Sequence, residues 1–373
     1  MALFLYGTLR HLPLLEIVMG RPVKADAVAA HLSGHAVYWA DGQSFPMIVE
    51  QHGAQAEGLL LDGLDDDDIA RLDFYEGGFG YTLRPVKVDT SSGPVDAQVY
   101  FPDPGLWTPG GAWSLQDWVD RHGALTLRFA REVMRRLGRI GADDVAALAP
   151  FIRSRAWAQM LGQRPAPTAL RRDARPGDVE ISERTTGFEG FFSLKHFDLR
   201  HRRFDGGMSD WFQRETFVAY DAALVLPYDP RTDQVLLVEQ LRFGPIWRDD
   251  PAPWVLEPIA GLVDAGEMPA DTARREAVEE AGLELGDLQP MIRAYPSPGY
   301  STEFFHCFLG ICDLNQQRAH SDGLPDENED IRSHVIPFDR AMALVDSGEI
   351  NAMPLVAMLL WLARHREHLR ASS

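Results

Sequence analysis

Three glutamates define the chemistry this chain can do. Glu276, Glu279 and Glu280 stand at i, i+3 and i+4 in Arg275-Glu276-Ala277-Val278-Glu279-Glu280-Ala281-Gly282-Leu283, so a helix puts all three carboxylates on one face. Like charges so spaced cost a free helix roughly a few tenths of a kcal/mol per pair. A hard divalent cation removes that repulsion and takes the oxygens as ligands, Mg²⁺ commonly sharing them with substrate phosphates. A merely solvated acidic face would contain the same three residues, and the surroundings decide between the readings. Pro269 suits the first turn of a helix, and Gly282 suits a C-terminal cap. Gly261 and Gly266 suit tight turns or close approach of backbone. Ala273, Ala277 and Ala281 make a small apolar stripe that can lie on a sheet, and Arg275 can orient Glu279 through an ion pair.

The elements that must position this helix follow from composition and periodicity. At 373 residues the chain holds two or three domains. Its net charge of −19 argues against non-specific nucleic-acid or anionic-membrane binding. Cys307 and Cys312 read as buried free thiols of a reducing compartment. No signal peptide is evident, and the apolar run 355–363 is too short to span a bilayer; a cytoplasmic protein is expected. Residues 1–104 are strand-rich, with strands expected at 3–6, 36–39, 47–49, 56–61, 86–88 and 97–101 and a helix at 65–72. Residues 105–171 read as a helical bridge, with a second helix at 143–161. Its arginines (Arg128, Arg131, Arg135, Arg136, Arg139) read as a solvated or interdomain face. Residues 172–373 alternate strands, among them 179–181 and 191–199, with two or three helices. The fold class is therefore α+β, in two domains joined by the bridge, the second an α/β/α sandwich.

The segment 261–283 resembles the Nudix hydrolase signature at every defining position. Outside it, Gly190-Phe191-Phe192-Ser193-Leu194, Arg214-Glu215, Val238-Glu239-Gln240-Leu241-Arg242, 254–261, Ser297-Pro298-Gly299 and 326–331 resemble the ADP-ribose pyrophosphatases of that family. The resemblance implies hydrolysis of the ADP-ribose diphosphate to AMP and ribose 5-phosphate, with Mg²⁺, or in its place Mn²⁺, clamping the diphosphate. It gives the metals to the carbonyl of Ala260 and to Glu276 and Glu280, with Glu279 and Glu329 sharing them. Phe191 and Arg214 would hold the adenine end, Phe191 coming from the other subunit of a homodimer. Arg242 would hold a phosphate, and Glu257, Ser297 and Gly299 would line the substrate site. Glu327 matches the general base, with Glu303 a rival for that task. Tyr300 stands where the family often has glycine, which bears on the terminal ribose. Apart from the resemblance, Phe191 reads equally as core, Arg242 as a surface residue and the acidic loop as solvated. Another nucleoside diphosphate sugar or a dinucleotide is the alternative substrate.

A second resemblance lies in Tyr6-Gly7-Thr8-Leu9-Arg10, Phe45-Pro46, Glu57-Gly58, Leu72-Asp73-Phe74-Tyr75-Glu76-Gly77, Tyr81 and Arg84. These are similar to the γ-glutamylcyclotransferase (AIG2-like) domains, which implies a small, mixed, barrel-like fold. In that family the Tyr6-Gly7-Thr8-Leu9 turn offers backbone donors to a carboxylate, and Glu76 would move protons during cyclisation. A carboxyl in an apolar pocket has the raised pKa such work needs. Cyclotransferase activity and simple small-molecule sensing both remain open. The pairing of the two domains resembles bacterial tellurite-resistance Nudix proteins.

Overall fold

The computed structural model describes residues 1–23, 27–76, 80–315, 321–322 and 330–371, with backbone alone at 183–186 and 321–322. The chain divides into two compact units, Met1–Ala156 and Trp157–Ser373. Among the described residues no helix is long and apolar enough to cross a membrane.

The first unit is built around β1 (Leu3–Leu5), a wholly buried apolar strand. It pairs antiparallel with β3 (Pro46–Leu61) and parallel with β5 (Gly93–Pro102). The order continues through β4 (Tyr81–Thr90) to β2 (Ala27–Ala40), and β2 pairs back onto β3, which closes a barrel of five strands. A short β6 (Pro109–Ala112) adds to β2. The twofold alternation of a strand explains how β1 serves two cores. Phe4 points into the barrel with Leu32, Ile48, Leu60 and Val99. Leu3 and Leu5 face the helical layer of α1 (Leu12–Met19), α2 (Asp66–Glu76), α3 (Leu115–Trp118), α4 (Ala124–Met134) and α5 (Ala142–Gly162).

Several elements differ from the sequence reading. The strands expected at 47–49 and 56–61 are one strand, and β2 begins well before residue 36. The polar stretches that hid this pair with each other, Ser33 opposite Gln55 and His35 opposite Glu50, in a ribbon whose side chains are largely solvated. Helix α2 runs on to Glu76 because Leu72, Phe74 and Tyr75 are buried. The helices after residue 114 lay Trp118, Phe129, Val133 and Ile152 into the core that holds Leu3. Arg136 is no part of a solvated face: it is 2% exposed and bonds the Glu132 carbonyl and carboxylate. Arg131, Arg135 and Arg139 are exposed.

The second unit centres on β10 (Asp221–Asp229), buried at every residue. It lies parallel to β15 (Phe304–Ile311) and antiparallel to β11 (Gln234–Leu241) and β13 (Ile259–Leu262). Strands β12 (Trp254–Glu257), β14 (Leu288–Ala294), β16 (Ser321–Asp322) and β17 (Ile331–Pro337) complete this mixed sheet, and α6 (Phe243–Trp247) follows β11. Ala222, Leu224, Leu226 and Tyr228 face α8 (Phe338–Ser347) and α9 (Met353–Ala371). Ala223 and Val225 face α7 (Pro269–Ala281), whose stripe Ala273, Ala277 and Ala281 is fully buried there. Helices thus cover both faces of the sheet. A separate antiparallel sheet holds β7 (Val179–Glu189), β8 (Ser193–His201) and β9 (Phe212–Val218). Strand β7 runs well past residue 181, and Phe191 and Phe192 turn between β7 and β8 rather than opening a strand. Cys307 is buried in β15, Cys312 lies just beyond it, and both thiols are free.

Gly58 shows how tightly the barrel closes. A Cβ there would overlap the Phe4 ring and the Leu5 carbonyl, and that backbone cannot yield. Gly58→Ala should destabilise the protein by about 1–3 kcal/mol in urea unfolding, the usual cost of overpacking; unchanged stability would contradict this packing.

Candidate functional site

Helix α7 forms where its caps and stripe require. Pro269 occupies its first turn, and Gly282 closes it in the left-handed region at φ 59°. With Ala273, Ala277 and Ala281 against the sheet, Glu276 and Glu280 fall beside β13. Glu280 is 2% exposed and accepts a hydrogen bond from the Ala260 N–H at 3.2 Å. The Glu276 carboxylate lies over Gly261, in space that any Cβ would fill. That close approach is why position 261 is glycine.

Arg275 holds the acidic cluster together. Its Nη1 donates to Glu276 Oε1 at 2.7 Å and to Glu279 Oε2 at 2.8 Å. Its Nε and Nη2 donate to the two oxygens of Glu267 at 3.3 Å each. Burial opposes the arginine's charge, but these carboxylates prevail, and the guanidinium holds its proton more tightly than usual. Burial likewise raises Glu267, and its bonds from Arg275 and Thr272 outweigh that, holding the carboxyl below its ordinary value. Burial pushes neighbouring Asp264 up. The expected site residues did not include Glu267; its eight-residue spacing from Arg275 was the available signal.

The donor set suits a hard divalent cation. It offers three carboxylates and the backbone of β13, oxygen donors throughout, and no soft ligand. Among the described residues no three His, Cys, Asp or Glu side chains already stand in a ligating arrangement; Arg275 serves Glu276 and Glu279 as counter-cation.

The remaining expected residues are distributed around β9, β11 and the loop before β15. Arg242, at the end of β11, donates to Glu257 Oε2 at 2.6 Å. Burial raises the pKa of Glu303, and the Arg242 charge opposes that rise. The Ser297 carbonyl accepts the Ser301 N–H at 3.1 Å, making the turn that contains Gly299, and Tyr300 there is 62% exposed. Phe191, 42% exposed, meets the Phe192 ring edge-on at 4.6 Å, and its carbonyl accepts the Tyr220 hydroxyl. Arg214 lies on β9 with its guanidinium 4.5 Å over the Phe212 ring. Glu327 and Glu329 lie outside the described residues.

In the first unit, the Tyr6-Gly7-Thr8-Leu9 turn and Glu76 meet at a cavity of about 450 Å³. Burial pushes the Glu76 carboxyl up to about 7. Tyr6 is raised well above its ordinary value by burial and then by Tyr81 and Glu76. Tyr81 is raised by burial and then by Glu76. Arg153, from α5, also lines this cavity and was not foreseen; a lone arginine in a helical pattern gives no sign of facing inward.

The Glu76 shift has a thermodynamic consequence. Below its ordinary value of 4.5, folded and unfolded chains both hold the proton. Between there and about 7 only the unfolded chain releases it, so stability falls as pH rises through that window. The loss should be on the order of 2–3 kcal/mol. Glu76→Gln should remove that part of the decline in urea unfolding at about pH 5 and about pH 8; an identical pH slope in the variant would contradict the burial of this carboxyl.

Comparison with known proteins agrees with these geometries. A family model described as gamma-glutamyl cyclotransferase, AIG2-like, matches residues 3–119, and the NUDIX domain model matches residues 219–356. The chain is 42% identical over 193 residues to the ADP-ribose pyrophosphatase of Escherichia coli strain K12, covering 52% of this chain and 91% of that protein. It is 39% identical over 197 residues to the ADP-ribose pyrophosphatase of Haemophilus influenzae, covering 52% of this chain and 90% of that protein. The GDP-mannose pyrophosphatase of Shigella flexneri is 30% identical over 174 residues, covering 47% of this chain and 89% of that protein. A glutamate-lined helix set on its glycine strand, within a stretch matching nine-tenths of such a relative, makes this chain a member of the Nudix family, with an AIG2-like domain at its N-terminal end.

Proposed function

We propose that the second unit hydrolyses the diphosphate of ADP-ribose to AMP and ribose 5-phosphate. The observation that carries this is the packing of Glu276 and Glu280 against β13 at Gly261 and Ala260, in a chain 42% identical to an ADP-ribose pyrophosphatase. Glu276, Glu279, Glu280 and the Ala260 carbonyl would hold a divalent cation, Mg²⁺ or Mn²⁺, which offsets the diphosphate charge when bound. Arg242, now on Glu257, presents a planar fork suited to phosphate oxygens. Ser297 and Gly299 shape the turn beside the substrate, and Phe191 and Arg214 take the adenine end by stacking. Glu327 accepts the proton of the attacking water. Glu303 is a second reading for that task, favoured by its half-buried carboxyl and raised proton affinity near Arg242.

The three-stranded sheet supports a homodimer. Ile181 at 63%, Phe188 at 69% and Phe217 at 37% exposure leave apolar surface on β7 and β9 that a second copy would cover. Sedimentation velocity should give twice the 41.7 kDa chain mass; a monomer at all concentrations would exclude Phe191 of a second copy from the site.

With Mg²⁺ and a nucleotide panel, ADP-ribose should turn over fastest. Equal or faster cleavage of UDP- or GDP-sugars would displace it. Glu280→Gln should lower the rate by at least about 100-fold, since loss of even an outer metal partner costs up to that much. Full activity in a folded Glu280→Gln protein would remove the metal assignment.

A further inference from the structure

The cavity of the first unit has two walls of different origin. One is the turn and carboxyl of the AIG2-like domain. The other comes from α4 and α5, where Phe129, Pro150 and Arg153 lie beyond the matched residues 3–119. That second wall brings a cation. The Arg153 guanidinium sits 4.6 Å over the Phe129 ring and donates to Ser44 Oγ at 3.2 Å. Burial lowers its proton affinity, and among the described residues no carboxylate pairs with it. A buried cation without a counter-ion is costly to keep unless a ligand supplies the charge. Beside it, the Trp107 ring packs on Phe45 at 5.1 Å, and among the described residues the buried Trp107 Nε1 has no hydrogen-bond partner. Among the described residues, a guanidinium without a carboxylate and an indole N–H without an acceptor therefore flank Ser44 and Phe45 in a cavity rich in aromatic rings.

We propose that this cavity binds a small, largely apolar organic carboxylate, with the carboxylate held by Arg153 and Trp107 Nε1 and the body of the molecule against the aromatic wall. One guanidinium neutralises one negative charge, which favours a carboxylate over a phosphate dianion. A carboxylate accepts in plane from both donors, and the rings supply the apolar contact. The site belongs to the first unit alone and does not rest on the hydrolase reading of the second.

The test uses the full chain and three probes: hippurate, its neutral amide hippuramide, and phenyl phosphate. Isothermal titration at about pH 6 keeps most of Glu76 uncharged. Hippurate should bind saturably, and hippuramide at least about tenfold more weakly, the scale of one lost charge-assisted hydrogen bond. Arg153→Gln should weaken hippurate by at least about tenfold, leave hippuramide unchanged and leave ADP-ribose hydrolysis as in the parent. The comparison of acid with amide in the unaltered protein needs no variant, so a folding failure in Arg153→Gln leaves the test intact. Equal binding of acid and amide, no binding up to about 10 mM, tighter binding of phenyl phosphate, or unweakened hippurate binding in folded Arg153→Gln would each overturn the proposal.

Discussion

A single guanidinium makes the acidic helix possible. Arg275 contacts Glu267, Glu276 and Glu279 and also reaches the Leu262 carbonyl of β13 at 3.4 Å. Two unit charges about 4 Å apart interact with about 4 kcal/mol at the effective dielectric of a protein surface. Without that cation, carboxylates gathered this closely would drive one another toward solvent. With it, Glu276 can stay over Gly261 and Glu280 can stay on the Ala260 N–H, both turned toward the strand. The alanine stripe sets the rotation of α7, and Arg275 keeps that rotation electrostatically tolerable.

Buried charge is handled in two ways. Some groups are partnered: Asp221 accepts from His306 at 2.7 Å, Asp233 takes Arg366 and the Tyr228 hydroxyl, and in the first unit Asp68 takes Arg21. Others are not: in one cavity of the first unit Glu76 is raised by burial alone and, among the described residues, no carboxylate pairs with Arg153. Partnered charges fix a framework, whereas uncompensated ones mark a place shaped for something else.

What could be read in the sequence was whatever depends on near neighbours. Helix α7, its Pro269 start and Gly282 stop, its buried alanines and the Arg275–Glu279 pair all follow from spacings within about four residues. Strand β1 was legible as a short apolar run. The long ribbon of β2 and β3 was not, because its middle is polar and exists through pairing across the hairpin. Arg136 was misread for a related reason: helical periodicity places a residue on a face but does not say what will cover it. Glu267 and Arg153 escaped because each gains its role from a partner eight or more residues away.

The position of β1 constrains how the first unit is made. Although it comes first in the chain, it lies between β3 and β5, pairing Leu5 with Leu59 and Leu3 with Gln98. The β3 seat is available once residue 61 is made but the β5 seat only once residue 102 is, so β1 is held on one edge before it can be held on both. In the interval Leu3 and Leu5 can pack on α1, with which they share a core, while Phe4 stays uncovered until the barrel closes, the kind of non-local pairing that makes folding slow and aggregation-exposed.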